Sequence, residues 1–110
     1  MNLGFIGTGK IASSVIEGIF KSSIKINNIY ISPRNKYLSK KLEKKYKKII
    51  IAKNNQEIID NSKWIFLSVT PEVGKKIIPK LKFKNNQLVI SFISSIKHSE
   101  LKKKINKKVI

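Results

Sequence analysis

Gly7-Thr8-Gly9-Lys10-Ile11-Ala12 is the segment whose residue types and spacing carry chemistry. It fits the pattern G-x-G-x-x-G/A, in which absent side chains are the functional feature. Gly7 permits a tight turn that a Cβ would obstruct. Gly9 lets the backbone approach a diphosphate, and Ala12 lets the following helix sit close to the preceding strand. Free N–H groups near Lys10 and Ile11 then face the phosphates with the favourable end of the helix dipole. The chemistry implied is dinucleotide binding through backbone amides. The plain alternative is a tight strand-to-helix turn that holds no ligand.

A second group, Ser32-Pro33-Arg34-Asn35, selects the cofactor. An NAD site usually places Asp or Glu here, on the ribose 2′-hydroxyl. This chain has no carboxylate in the segment to repel a 2′-phosphate. Arg34 can pair with that phosphate, and Ser32 and Asn35 can donate hydrogen bonds. The expectation is NADP in preference to NAD, with NAD still possible. The plain alternative is that Asn35 only caps a helix and Arg34 is solvated. A third group, Ser68-Val69-Thr70-Pro71, follows a buried apolar run and suits the nicotinamide half. Phe92-Ile93-Ser94-Ser95 occupies the matching place one strand later. His98, the sole histidine, has no acid or nucleophile placed to form a relay and reads as a surface residue. No catalytic side chain and no metal ligand set is expected.

These groups need a scaffold that gathers them. Short apolar runs at Leu3 to Ile6, Asn28 to Ser32, Ile49 to Ile51, Trp64 to Val69 and Leu88 to Ile93 read as strands. Trp64 reads as core. Lys107 to Ile110 can begin a sixth strand. Between them, Lys10 to Lys21 is amphipathic, with Ile11, Val15, Ile16, Ile19 and Phe20 as its apolar stripe. A second helix, capped by Asn35, carries Leu38, Leu42 and Tyr46. Further helices are predicted over Gln56 to Asn61, from Pro71 until Pro79 interrupts, and over Lys97 to Ile105. Strand and helix alternate, so the fold class is α/β. The expected form is a Rossmann-type doubly wound, mainly parallel sheet in three α/β/α layers. Its ligand edge is the carboxyl end of the strands.

With 110 residues the chain suits one domain, residues 1–110, and no second domain is expected. Absence of Cys removes disulfides and thiol chemistry. No apolar stretch approaches the roughly 18 residues a membrane span needs. A cytoplasmic protein without membrane partners is expected. The formal charge is +18, which attracts polyanions. Yet the 24 basic residues include a single arginine, Arg34, whereas base and phosphate recognition favours the bidentate arginine fork. The lysine runs therefore read as solvated faces. A basic nucleic-acid-binding protein is retained only as the third alternative.

The runs GFIGTGKIASSVIEGI, NIYISPRN, NNQEII, WIFLSVTPEV and LVISFISSI, in this order, resemble the N-terminal cofactor-binding domain of pyrroline-5-carboxylate reductase. The resemblance covers essentially the whole chain. Its most specific parts are the opening fingerprint, Ser32-Pro33, Asn55 to Glu57, and Val69 to Pro71. It implies reduction of 1-pyrroline-5-carboxylate to proline with NAD(P)H, the last step of proline synthesis. It implies cofactor contacts at Ile6, Gly7, Thr8, Gly9, Lys10, Ile11, Ser32, Asn55, Ser68, Val69, Thr70, Pro71, Phe92, Ile93 and Ser94. Arg34 and Asn35 join them from the 2′-phosphate argument. Two departures lie on the catalytic side. Thr70 stands where the family has Lys, and Ile93-Ser94-Ser95 replaces a small Ala-Gly element. Ile93 is bulky where the nicotinamide needs room.

Reductases of this kind continue into a helical domain that supplies the dimer interface and the substrate carboxylate site. The expectation is thus a truncated reductase with little activity alone, taking a small cyclic imine only if a helical domain is supplied. The second alternative is a stand-alone non-catalytic dinucleotide-binding module. A related reductase acting on a deazaflavin or a sugar acid shares the opening motif but matches Ser32-Pro33 and Val69-x-Pro71 less well. The sequence assigns no oligomeric state.

Overall fold

A computed structural model of the protein describes residues 1–93, 100–101 and 108–109. Its elements are β1 (Leu3–Ile6), α1 (Lys10–Lys21), β2 (Ile29–Ile31), α2 (Lys36–Lys45), β3 (Ile49–Ile51) and α3 (Asn55–Asn61). β4 (Trp64–Leu67), α4 (Pro71–Ile77), a 3₁₀ turn (Ile78–Lys80), β5 (Leu88–Ser91) and β6 (Lys108–Val109) complete them. The strands lie in the order β3-β2-β1-β4-β5-β6, and every neighbouring pair is parallel. The order reverses between β1 and β4, which opens a crevice beyond their carboxyl ends. This is the doubly wound α/β sheet that the alternating pattern predicts.

Each face of the sheet carries its own core. On one, Leu3, Phe5, Ile29, Ile31, Ile49 and Phe66 pack against Ala12 and Ile16 of α1 and Leu42 of α2. Register places Phe5 beside Phe66, and their rings stack at 4.4 Å between centroids. On the other face, Ile6, Ile65, Leu67 and Val89 pack against Ile58 and Ile59 of α3, with Ile78, Ile93 and Leu101. Alternation along each strand sorts neighbours to opposite faces, so both faces demand apolar residues.

Several predicted boundaries move. β4 ends at Leu67 and not Val69, and β5 ends at Ser91 and not Ile93. Both chains leave the ladder where they turn toward the ligand edge, although the residues stay apolar. Trp64 is 37% exposed, because β4 begins with it at the open rim. Ile11 is 54% exposed, and Ala12 occupies the buried position that the stripe assigned to it. The predicted helix over Lys97 to Ile105 lies outside the described residues except Glu100 and Leu101, which are helical. His98 lies outside them too. Among the described residues no helix is long and apolar enough to cross a membrane.

Gly4 lets α3 and the residue after it pack closely against β1. A Cβ there would lie 2.5 Å from Ile58 Cγ2 and 2.5 Å from Ser62 Oγ. Gly4→Ala is therefore expected to destabilise the fold by about 1–3 kcal/mol through overpacking, read as a lower urea midpoint. An unchanged midpoint would show that α3 moves away freely.

Candidate functional site

β1 hands over to α1 through two glycines with different tasks. Gly7 has φ +104°, a left-handed conformation that side chains disfavour. A Cβ on Gly7 would collide with the Ser68 carbonyl and come within 3.1 Å of Val69 Cγ1. Hydrogen bonds hold that approach in place. The Ser68 N–H donates to the Ile6 carbonyl at 2.9 Å, and its hydroxyl reaches the Ile6 and Gly7 carbonyls at 3.3 and 3.4 Å. The ends of β1 and β4 are thus stitched at the switch point.

Gly9 is different. It is the N-cap of α1 in extended backbone, and a Cβ there would meet nothing within 4 Å. No side chain caps α1, and its first turn holds no acid. α2, α3 and α4 supply their own caps. Asn35 Oδ1 accepts from Leu38 N–H at 3.2 Å, Asn54 Oδ1 from Glu57 N–H at 2.9 Å, and Thr70 Oγ1 from Val73 N–H at 3.4 Å. Among the described helix starts, only at α1 do unclaimed amides coincide with open space, which is the arrangement an anion needs.

That space is a cleft of about 650 Å³ lined by Gly7, Thr8, Gly9, Arg34, Asn35, Lys36, Ser68, Val69, Thr70 and Val73. The three sequence groups therefore meet, as the crevice rule requires. The lining carries two cations, Arg34 and Lys36, and no carboxylate. Sequence reasoning missed Lys36 and Val73. Lys36 is the first residue of α2, so the Asn35 cap already placed it beside Arg34. Among so many lysines it offered no contrast. Val73 is an apolar residue within α4, a place that gives no sign of a lining role.

Other predicted contacts sit elsewhere. Ile6 is fully buried, so only its backbone reaches the edge. Lys10 lines a separate groove of about 380 Å³ between α1 and α2. Ile11 projects to solvent. Asn35 and Thr70 line the cleft, but their side-chain oxygens are engaged as caps. Ser32 is buried and gives its hydroxyl to Asn55 Oδ1 at 3.3 Å, so neither side chain is a lining group. Pro71 serves as the first residue of α4. Phe92 stacks 6.1 Å from Phe66, and Ile93 is 4% exposed within the core. The bulk expected to crowd the nicotinamide is instead buried beneath the sheet edge. Ser94 lies outside the described residues.

One ion pair forms among the described residues, Lys21 Nζ to Glu17 Oε1 at 2.8 Å. The hydrogen bond and charge of Lys21 hold the Glu17 carboxyl below its ordinary range. Neither residue lines the cleft.

Comparison with known proteins agrees with this fold. The family described as NADP oxidoreductase coenzyme F420-dependent matches residues 2–95. Pyrroline-5-carboxylate reductase of Arabidopsis thaliana is 28% identical over 101 residues, covering 90% of this chain and 37% of that protein. The crystal structure of 1-pyrroline-5-carboxylate reductase from Streptococcus pyogenes superposes with a TM-score of 0.78 at 27% identity. It covers 96% of this chain and 38% of that one. The Plasmodium falciparum pyrroline carboxylate reductase, solved with NADP bound, gives a TM-score of 0.77 at 21% identity. It covers 96% of this chain and 38% of its own, and at that identity the likeness is one of fold. The chain spans a little over a third of the length of these relatives.

The two glycines separate by experiment. Gly7→Ala is expected to cost roughly 1–3 kcal/mol of stability, from positive φ and the Ser68 carbonyl. Gly9→Ala is expected to change stability by no more than about 0.5 kcal/mol, since its Cβ meets only open space. Urea titration of both variants measures the contrast.

Proposed function

The chain belongs to the family described as NADP oxidoreductase coenzyme F420-dependent, and on that footing we propose that it is the cofactor-binding part of a pyrroline-5-carboxylate reductase. The observation that carries the proposal is the uncapped start of α1 beside Gly9, open to a cleft with two cations and no carboxylate. In this reading the amides at the start of α1 hold the diphosphate of NADP(H). Gly9 keeps the approach clear, and Gly7 aims the helix. Arg34, with Lys36 beside it, pairs with the 2′-phosphate, and Arg34 brings the geometry for a bidentate contact. The backbone of Ser68 to Thr70 flanks the nicotinamide half.

Bound NADPH would supply a hydride from its nicotinamide C4 to the imine carbon of 1-pyrroline-5-carboxylate and leave as NADP+, and a proton from solvent on the ring nitrogen would complete proline. The contribution of this chain is orientation and electrostatics. No residue of the chain is assigned to the substrate. A cytoplasmic place in proline synthesis belongs to the same proposal. It rests on the sequence-matched reductases, and Ser32-Pro33 and Val69-x-Pro71 set it above the deazaflavin alternative.

Calorimetry with NADPH and NADH tests the reading. NADPH is expected to bind more tightly, and Gly9→Ala to weaken both cofactors at least about tenfold, or 1.4 kcal/mol, while the fold persists. Arg34→Glu is expected to weaken NADPH by at least about tenfold more than NADH. Equal losses would remove Arg34 from the 2′-phosphate. No detectable heat with either cofactor at millimolar concentration would overturn the proposal.

A further inference from the structure

Ser39 is a polar residue where α2 turns toward the protein. It is 1% exposed, and the packing residues beside it on the helix are Leu38 and Leu42. An alanine would fill nearly the same volume. The hydroxyl has a definite partner. It donates to the Ser32 carbonyl at 2.7 Å, seven residues earlier in the chain. The backbone N–H of the same residue donates to the Asn35 carbonyl at 2.9 Å. Both ends of the segment from Ser32 to Asn35 therefore hang on Ser39.

The rest of that segment is tied as well. Ser32 gives its hydroxyl to Asn55 Oδ1 at 3.3 Å, and Asn35 Oδ1 accepts the Leu38 N–H at 3.2 Å. Between these anchors stands Arg34, exposed and lining the cleft. A flexible side chain that grips a ligand loses freedom on binding, and the loss is smaller when its backbone is already held. Without the Ser39 hydroxyl, the buried Ser32 carbonyl would lose this partner and the base of the segment its clip.

We propose that Ser39 is a positioning residue for cofactor choice: by clipping Ser32 it fixes the backbone from which Arg34 meets the 2′-phosphate. This rests on the NADP reading above. Ser39 touches no cofactor itself, because it is buried and is not among the residues that line the cleft. Its effect passes through Arg34 and is confined to the phosphorylated cofactor. A serine that served the fold alone would affect NADPH and NADH alike.

The test is a double-mutant cycle by calorimetry on the full chain, with Ser39→Ala, Arg34→Ala and the double variant, against NADPH and NADH. Ser39→Ala is expected to weaken NADPH about fivefold, the worth of one hydrogen bond, and NADH less than about twofold. In the Arg34→Ala background the same change is expected to leave NADPH binding unaltered. Ser39→Cys, close in volume but a weak donor, is expected to lose NADPH preference in part, and serves if Ser39→Ala does not fold. Equal weakening of both cofactors, or an undiminished effect without Arg34, would overturn the inference. If the unaltered chain binds NADPH no better than NADH, the 2′-phosphate reading fails and this inference falls with it. If that preference is present but indifferent to Ser39, this inference alone fails.

Discussion

Gly7 turns the backbone at φ +104° with the Ser68 carbonyl lying where a side chain would begin. This contact sets the spacing between the ends of β1 and β4, the pair at which the sheet order reverses. It also directs the chain into α1 so that the helix start faces the crevice. The floor of the site is consequently main chain. Amide groups are fixed by the fold, so a site made of them needs no side chain to be ordered on binding.

The other helix starts show what this arrangement leaves undone. Asn35, Asn54 and Thr70 each satisfy an amide of the helix they begin. Glu57 reaches back to the Lys53 N–H at 3.3 Å, so the start of α3 is closed from both sides. Among the described α-helices α1 alone lacks this closure, and its stability comes from the buried face, where Ala12 and Ile16 lie against β1 and its neighbours. Helix formation here depends on tertiary packing, which leaves the amides available. The cations of the cleft come from the next crossover, through Arg34 and Lys36.

Residues 2–95, which match the family, include every described residue that lines the cleft. The relatives are more than twice as long as this chain. Core residues such as Ile93, which sequence placed at the cofactor, belong to the packing beneath the sheet.

The residues alone determined the alternation of strands and helices, the bounds of β1, α1 and β3, the caps at Asn35 and the proline start of α4. They also marked the glycine turn between β1 and α1. These features arise from local causes: periodicity, missing side chains and hydrogen bonds within a turn. Tertiary structure decided which apolar residues at the strand ends leave the ladder, so Val69 lines the cleft while Ile93 enters the core. It also turned Ile11 and Trp64 toward solvent, brought Lys36 beside Arg34 in one cleft, and joined Ser32 to Asn55 across 23 positions. Hydrophobic periodicity states that a residue is buried somewhere, but not where a strand stops pairing or which neighbour arrives from a distant crossover. Those outcomes depend on how the layers meet, and only the folded chain contains that meeting.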